Sequence, residues 1–198
     1  KHYNEDIYDS SFIGIVDDFY CSKSIKGFKN FFKSIFEARI TTALLKIVVI
    51  LISALIINLD NPYNLIIINT VLILLMANFI NLVDLRPGRA YKVYFFLFLP
   101  SIFYKDWQLL FISYVIIFLL IAEAELSEKI ILGDSGSNCL GVSLGYFYST
   151  NLLTEGKVIL IIILFLLNFS AEIYSFSKII EKNKILNYFD KLGRKYVK

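Results

Sequence analysis

Histidine is all but missing from this 198-residue chain, and the one present, His2, stands in a polar terminus. That scarcity disposes of one reading at once. Gly133-Asp134-Ser135-Gly136 is the string that surrounds the nucleophilic serine of trypsin-like proteases, but that chemistry needs a histidine base beside the serine. Cysteine is nearly as rare: Cys21 and Cys139 make no disulfide framework and read as packing residues. Only three prolines and nine glycines occur, mostly at ends and turns, so long unbroken helices are allowed. Charged residues are 19% of the chain, whereas hydrophobic ones are 57%, with a mean hydropathy of +0.65. An ordinary soluble domain of this size is thereby excluded and a bilayer protein is expected. No signal peptide is visible, because residues 1–10 are polar and no methionine stands first.

What is present is a series of apolar runs. The short run 11–16 ends in Asp17-Asp18 and reads as the last turns of a span. Residues 22–39 alternate Ile25, Phe28, Phe32 and Ile35 with lysines at helical spacing, as a basic helix lying on a membrane surface does. Spans are expected over 40–59, 63–83, 93–104, 106–122, 138–153 and 157–176, the third of them short. The fifth holds glycines suited to close helix contacts. A second basic amphipathic stretch occupies 178–198. The fold class is therefore all-α: one integral-membrane domain, a bundle of about six spans with two interfacial helices. Lysine and arginine collect in 22–39, in the loop 86–92 and in the C-terminal tail, and six spans put all three on the cytoplasmic side.

The same topology gathers acidic residues at that face. Asp17 and Asp18, Asn81 with Asp84, and Asp134 come from three distant parts of the chain, each at a span end or in an adjoining loop. Carboxylates and a side-chain amide are the hard oxygen donors that Mg²⁺ takes, together with water and substrate phosphates. The glycine-punctuated stretch from Gly133 through Ser135 and Gly136 to Ser137 leaves backbone N–H groups open to a phosphate. Arg86, Arg89 and Lys92 could engage phosphate oxygens. Glu172 stands near the cytoplasmic end of the last span, where a charge points to function or a polar partner. Each has a plainer reading: an aspartate at a helix end is most often a cap, and loop arginines serve as topology signals. An ion carrier is the rival from another class, but it should hold its acids at mid-bilayer.

Three segments resemble, in order and spacing, those of the polyprenyl-phosphate N-acetylhexosamine-1-phosphate transferases, the family that includes the phospho-N-acetylmuramoyl-pentapeptide transferases. They are Gly14-Ile15-Val16-Asp17-Asp18, Asn78-Phe79-Ile80-Asn81-Leu82-Val83-Asp84 and Gly133-Asp134-Ser135-Gly136-Ser137. The resemblance covers about 12–176 and implies a Mg²⁺-dependent enzyme that moves a sugar-1-phosphate from a UDP-sugar to undecaprenyl phosphate, releasing UMP. It implies Asp134 and Asn81 as metal ligands, Asp17, Asp18 and Asp84 as catalytic residues, and Asn78, Arg86, Arg89, Gly133, Ser135, Gly136 and Glu172 on the substrates. The expected partners are UDP-sugar, polyprenyl phosphate and membrane lipids, with no nucleic acid and with room for a homodimer. The expected place is the cytoplasmic membrane, in cell-envelope glycan synthesis. Cys21, Pro87 and Ala124 stand where the family pattern has a lysine, an acid and an asparagine. Glu172, Ser175 and Ser177 occupy the region of its histidine cluster. Spans that precede the aspartate pair in the family are expected upstream of Lys1. A non-catalytic relative that binds lipid phosphate or nucleotide sugar is the alternative.

Overall fold

The computed structural model describes residues 42–127 and 132–192. Its organising element is α2, Tyr63–Val83, whose twenty-one residues contain no proline, glycine or charge. Pro62 opens it and Asp84 closes it. The other helices are α1 (Thr42–Ile57), α3 (Arg89–Phe98), α4 (Lys105–Leu126), α5 (Gly133–Asn151), α6 (Thr154–Ile173) and the short pair α7 (Phe176–Lys182) and α8 (Lys184–Lys191). Every regular element among the described residues is helical. Among the described residues, 42–53 fall in one compact unit and those from Ala54 on in another, which holds the candidate site.

Glycine spacing sets the central contact. Gly141 and Gly145 lie four apart on α5, so they share one face. A Cβ on Gly141 would come 2.4 Å from the Cα of Ala77, and one on Gly145 would come 2.6 Å from the Cα of Ile73. Only hydrogen fits at either place, so α5 lies backbone to backbone against α2, as small residues spaced by four permit. One turn further along, Ser137 reaches Asn81. The pairs 73–145, 77–141 and 81–137 advance in opposite senses, so the two helices are antiparallel.

Side-chain bonds fix the remaining directions. Lys157 bonds Asn69 and Asn168 bonds Asn78, both rising together, so α6 runs parallel to α2. Tyr94 meets Ser143 and Tyr148 donates to the carbonyl of Leu97, so α3 runs with α5. α4 runs against α3, Trp107 meeting Phe98 edge-on and the ring of Tyr114 packing tilted against that of Tyr94. The α2 C-terminus, the starts of α3 and α5 and the end of α6 therefore lie at one end of the bundle. Trp107, Phe98 and Phe147 fill the core toward the other end.

Several expected boundaries move. The second span keeps its bounds, 63–83. The expected span 93–104 becomes α3, which begins at Arg89, followed by a 3₁₀ turn, Leu99–Phe103. Pro100 is the reason, having no N–H to donate and a ring that clashes with the preceding turn. At rises of about 1.5 and 2.0 Å per residue, helix and turn together reach roughly 25 Å. That is short of a hydrocarbon core about 30 Å thick. The segment from Gly133, expected as a loop, is the first turn of α5. Six spans were expected; among the described residues two helices are long and apolar enough to cross a membrane by length and composition, α2 and Thr154–Ala171 of α6, and Leu45–Ile57 is a shorter apolar stretch. The amphipathic helix expected over 22–39 lies outside the described residues.

Candidate functional site

Two of the three motif segments meet where α2 ends and α5 begins. Gly133 enters α5 with φ 70°, a left-handed conformation that glycine adopts without strain. The next residue, Asp134, is exposed in the first turn, where the helix dipole favours a negative charge. Ser137, one turn on, is buried. Its hydroxyl lies 2.9 Å from Asn81 Oδ1, 2.9 Å from the carbonyl of Gly133 and 3.2 Å from that of Asp134. A hydroxyl has one proton to donate, so the three oxygens share it and Asn81 Oδ1 keeps acceptor capacity for a second donor or a cation. Asp84 forms the C-cap of α2 one turn beyond Asn81.

The oxygen types at this junction fit Mg²⁺, which needs one or two carboxylates and completes its shell with water and phosphate. Asp134 and Asn81 are the residues that would hold it. No group of three or more His, Cys, Asp or Glu that could hold a metal forms among the described residues. Asp17 and Asp18 lie outside the described residues, as does the side chain of Glu172 in the last turn of α6.

Residues three apart on a helix point about 60° apart, and that separates the two motif asparagines. Asn81 faces α5, while Asn78 donates to Asn168 Oδ1 of α6 at 2.6 Å. Asn168 is buried and donates in turn to the carbonyls of Leu75 and Leu164, so Asn78 fastens α6 to α2.

The loop cations have protein partners. Arg89, almost fully buried, bonds Asp190 through Nε at 2.6 Å and Nη2 at 3.2 Å, and reaches Ser177 Oγ at 3.1 Å. Arg86 pairs with Glu181 and lies 3.8 Å from Asp190. Lys92 Nζ donates to the carbonyls of Phe189, Asp190 and Leu192, capping α8. The basic loop therefore docks α7 and α8 onto the start of α3.

Comparison with protein-family models, with curated proteins and with solved structures found no match. The family resemblance thus rests on three short segments, and the fold brings two of them together.

Asn168 and Asp190 were not singled out from the sequence, and Ser137 and Ser177 were named only as members of longer stretches, without a role. Ser137 had a signal, as the last residue of the Gly-Asp-Ser-Gly-Ser string. Asp190 had a weaker one, as one of two acids among the lysines of 176–192. At the far end Lys157 Nζ donates to Asn69 at 3.0 Å, and Asn69 to Asn58 at 2.9 Å, a buried polar chain across three segments that spacing alone does not reveal.

Proposed function

We propose that this chain is a multi-pass membrane protein that transfers a sugar-1-phosphate from a UDP-sugar to polyprenyl phosphate at the cytoplasmic face. The observation that carries the reading is the bond between Ser137 and Asn81, which joins the Gly-Asp-Ser-Gly-Ser and Asn-x-x-Asn-x-x-Asp segments at one end of the bundle. Exposed apolar faces on α4 and α6 support the membrane part, since residues such as Leu109, Leu120, Ile162 and Leu166 have nothing polar to shield them from water.

In the proposed reaction an oxygen of the lipid phosphate bonds to the sugar-bearing phosphorus, the bond from that phosphorus to the bridging oxygen breaks, and UMP departs with the electron pair. The second pKa of a phosphate monoester is about 6, so the attacking group is already ionised at neutral pH and a strong base is not needed. Bound Mg²⁺ supplies neutralisation of the charge that spreads over the diphosphate oxygens. Asp134 and Asn81 present the oxygens for that ion. The positive end of the α5 dipole favours an anionic oxygen at this turn. Asp84 orients the diphosphate, and Asp17 or Asp18 the acceptor phosphate.

Membranes containing the protein are expected to exchange labelled UMP into UDP-sugar when Mg²⁺ is present and not when it is chelated. Absence of exchange with UDP-sugar or lipid phosphate still bound selects the second reading, a non-catalytic binder. The burial of Arg89 against Asp190 favours that reading, because this cation is held by the protein itself.

A further inference from the structure

The helix pair α7–α8 is fastened to the bundle by charge more than by packing. No side chain of α7 is buried, and the one buried in α8 is a carboxylate, Asp190. Ile179, Ile185, Leu186, Tyr188 and Phe189 are all exposed. A groove of about 570 Å³ stays open between Val93 and Phe96 of α3 and Leu186 and Phe189 of α8, so the apolar sides that face each other do not close. What holds the pair is the basic loop: Asp190 and Ser177 take Arg89, Glu181 takes Arg86, and three carbonyls at the end of α8 take Lys92. Separating a buried ion pair returns both charges to water, and the hydration regained offsets the attraction lost. With little apolar area buried on docking, little else opposes release.

The same arginines stand at the motif end of the bundle. Arg86 follows closely on Asp84, the C-cap of α2, and Arg89 opens α3 at the end where α5 begins. We infer that α7–α8 is an autoinhibitory latch: docked, it holds Arg86 and Arg89 on Glu181 and Asp190, and a diphosphate arriving at the α2–α5 junction takes the two arginines and releases the pair. A diphosphate can make that exchange because its oxygens match the guanidinium fork as a carboxylate does and carry more charge. A ligand that binds only the released state shifts the equilibrium toward it, and its apparent affinity is lowered by the fraction of protein that is latched. The inference rests on the reading that a nucleotide sugar binds at this end of the bundle, with or without turnover.

The test locks the latch. In the full chain in vesicles, with Cys21→Ser and Cys139→Ser removing the native thiols, Phe96→Cys and Phe189→Cys replace two rings that meet edge-on with centroids 6.1 Å apart. Oxidation then ties α8 to α3. Binding of inorganic pyrophosphate with Mg²⁺ is expected to weaken by about tenfold or more on oxidation, as a fully latched population requires, and to recover with reductant. Saturating pyrophosphate should in turn slow formation of the disulfide by a similar factor. Equal affinity in the oxidised and reduced protein overturns the latch and leaves the site. Absence of binding to the reduced protein removes the site, and the latch with it, so the two failures are distinguishable. Glu181→Gln needs no cysteine and alters an exposed partner: it should tighten pyrophosphate about threefold, the worth of one half-exposed ion pair. Unchanged or weaker binding by that variant likewise overturns the latch.

Discussion

α2 and α6 are alike in composition and opposite in use. Both are long and apolar enough to cross a membrane, with mean hydropathies of 2.3 and 1.8 over the apolar window, yet 44% of that window is buried in α2 and 17% in α6. α2 presents Ile73 and Ala77 to the glycines of α5, Asn69 and Asn78 to α6, and Asn81 to Ser137. α6 turns Ile159, Ile162, Ile163, Phe165, Leu166 and Phe169 outward and touches the bundle through a few positions, chiefly Lys157, Leu164 and Asn168. Hydropathy alone therefore does not say whether an apolar helix meets protein or solvent. The small and polar residues spaced along its neighbours do.

The comparison breaks most decisively at the end of the α2–α5 seam. Asp134→Asn is expected to lower Mg²⁺-dependent UMP exchange on the order of a thousandfold, about 4 kcal/mol of transition-state stabilisation, while leaving membrane insertion and unfolding unchanged. Full turnover by that variant would take Asp134 out of the site. Within the seam, Gly141→Ala should destabilise by about 3 kcal/mol, the upper part of the range for overpacking, because its Cβ would meet main chain that cannot turn aside. Gly156→Ala in α6 is the matched control: its Cβ would find nothing closer than 3.7 Å, so unfolding curves should show no loss and up to about 1 kcal/mol of gain. On the outer face of α6, Ile162→Arg separates the two solvents. In hydrocarbon it should cost about 2.5 kcal/mol and reduce insertion. At a water-exposed site the change would stay within about 0.5 kcal/mol.

How much of this was legible in the sequence follows from the same contrast. The bounds of α2 could be read because Pro62 and Asp84 bracket a run with no interruption. The contact through α5 was legible in kind, because glycines within an apolar run point to close helix approach, but their partners Ile73 and Ala77 were not, being two apolar residues among many. The bundle end that unites Asn81 with the start of α5 followed from counting spans, although α3 reaches that end as a short helix broken before Pro100. The loop arginines could be read as cations and not as partners of Asp190 and Glu181, because pairing across about a hundred residues leaves no local pattern. A period of 3.6 reports which side of a helix is apolar. It is silent on which of two apolar sides is covered.

The smallest expected effect bears on how α6 is held at all. Its outward face leaves few contacts to fix its rotation, and near the motif end that task falls to Asn168, which accepts from Asn78 and donates to the carbonyls of Leu75 and Leu164. A single truncation mixes the lost bond with the carbonyls it strands, so the informative experiment is a cycle of Asn78→Ala, Asn168→Ala and the double variant. Interhelical side-chain bonds within membranes couple by about 0.6 kcal/mol on average and at most about 1.7, because the separated helices also find partners. A coupling in that range would make the pair one clasp among several and leave α6 positioned jointly by Lys157 and Asn69 at the far end. A coupling near zero would mean that the packing of Leu164 against the bundle core already sets the rotation of α6, and that the asparagines follow it.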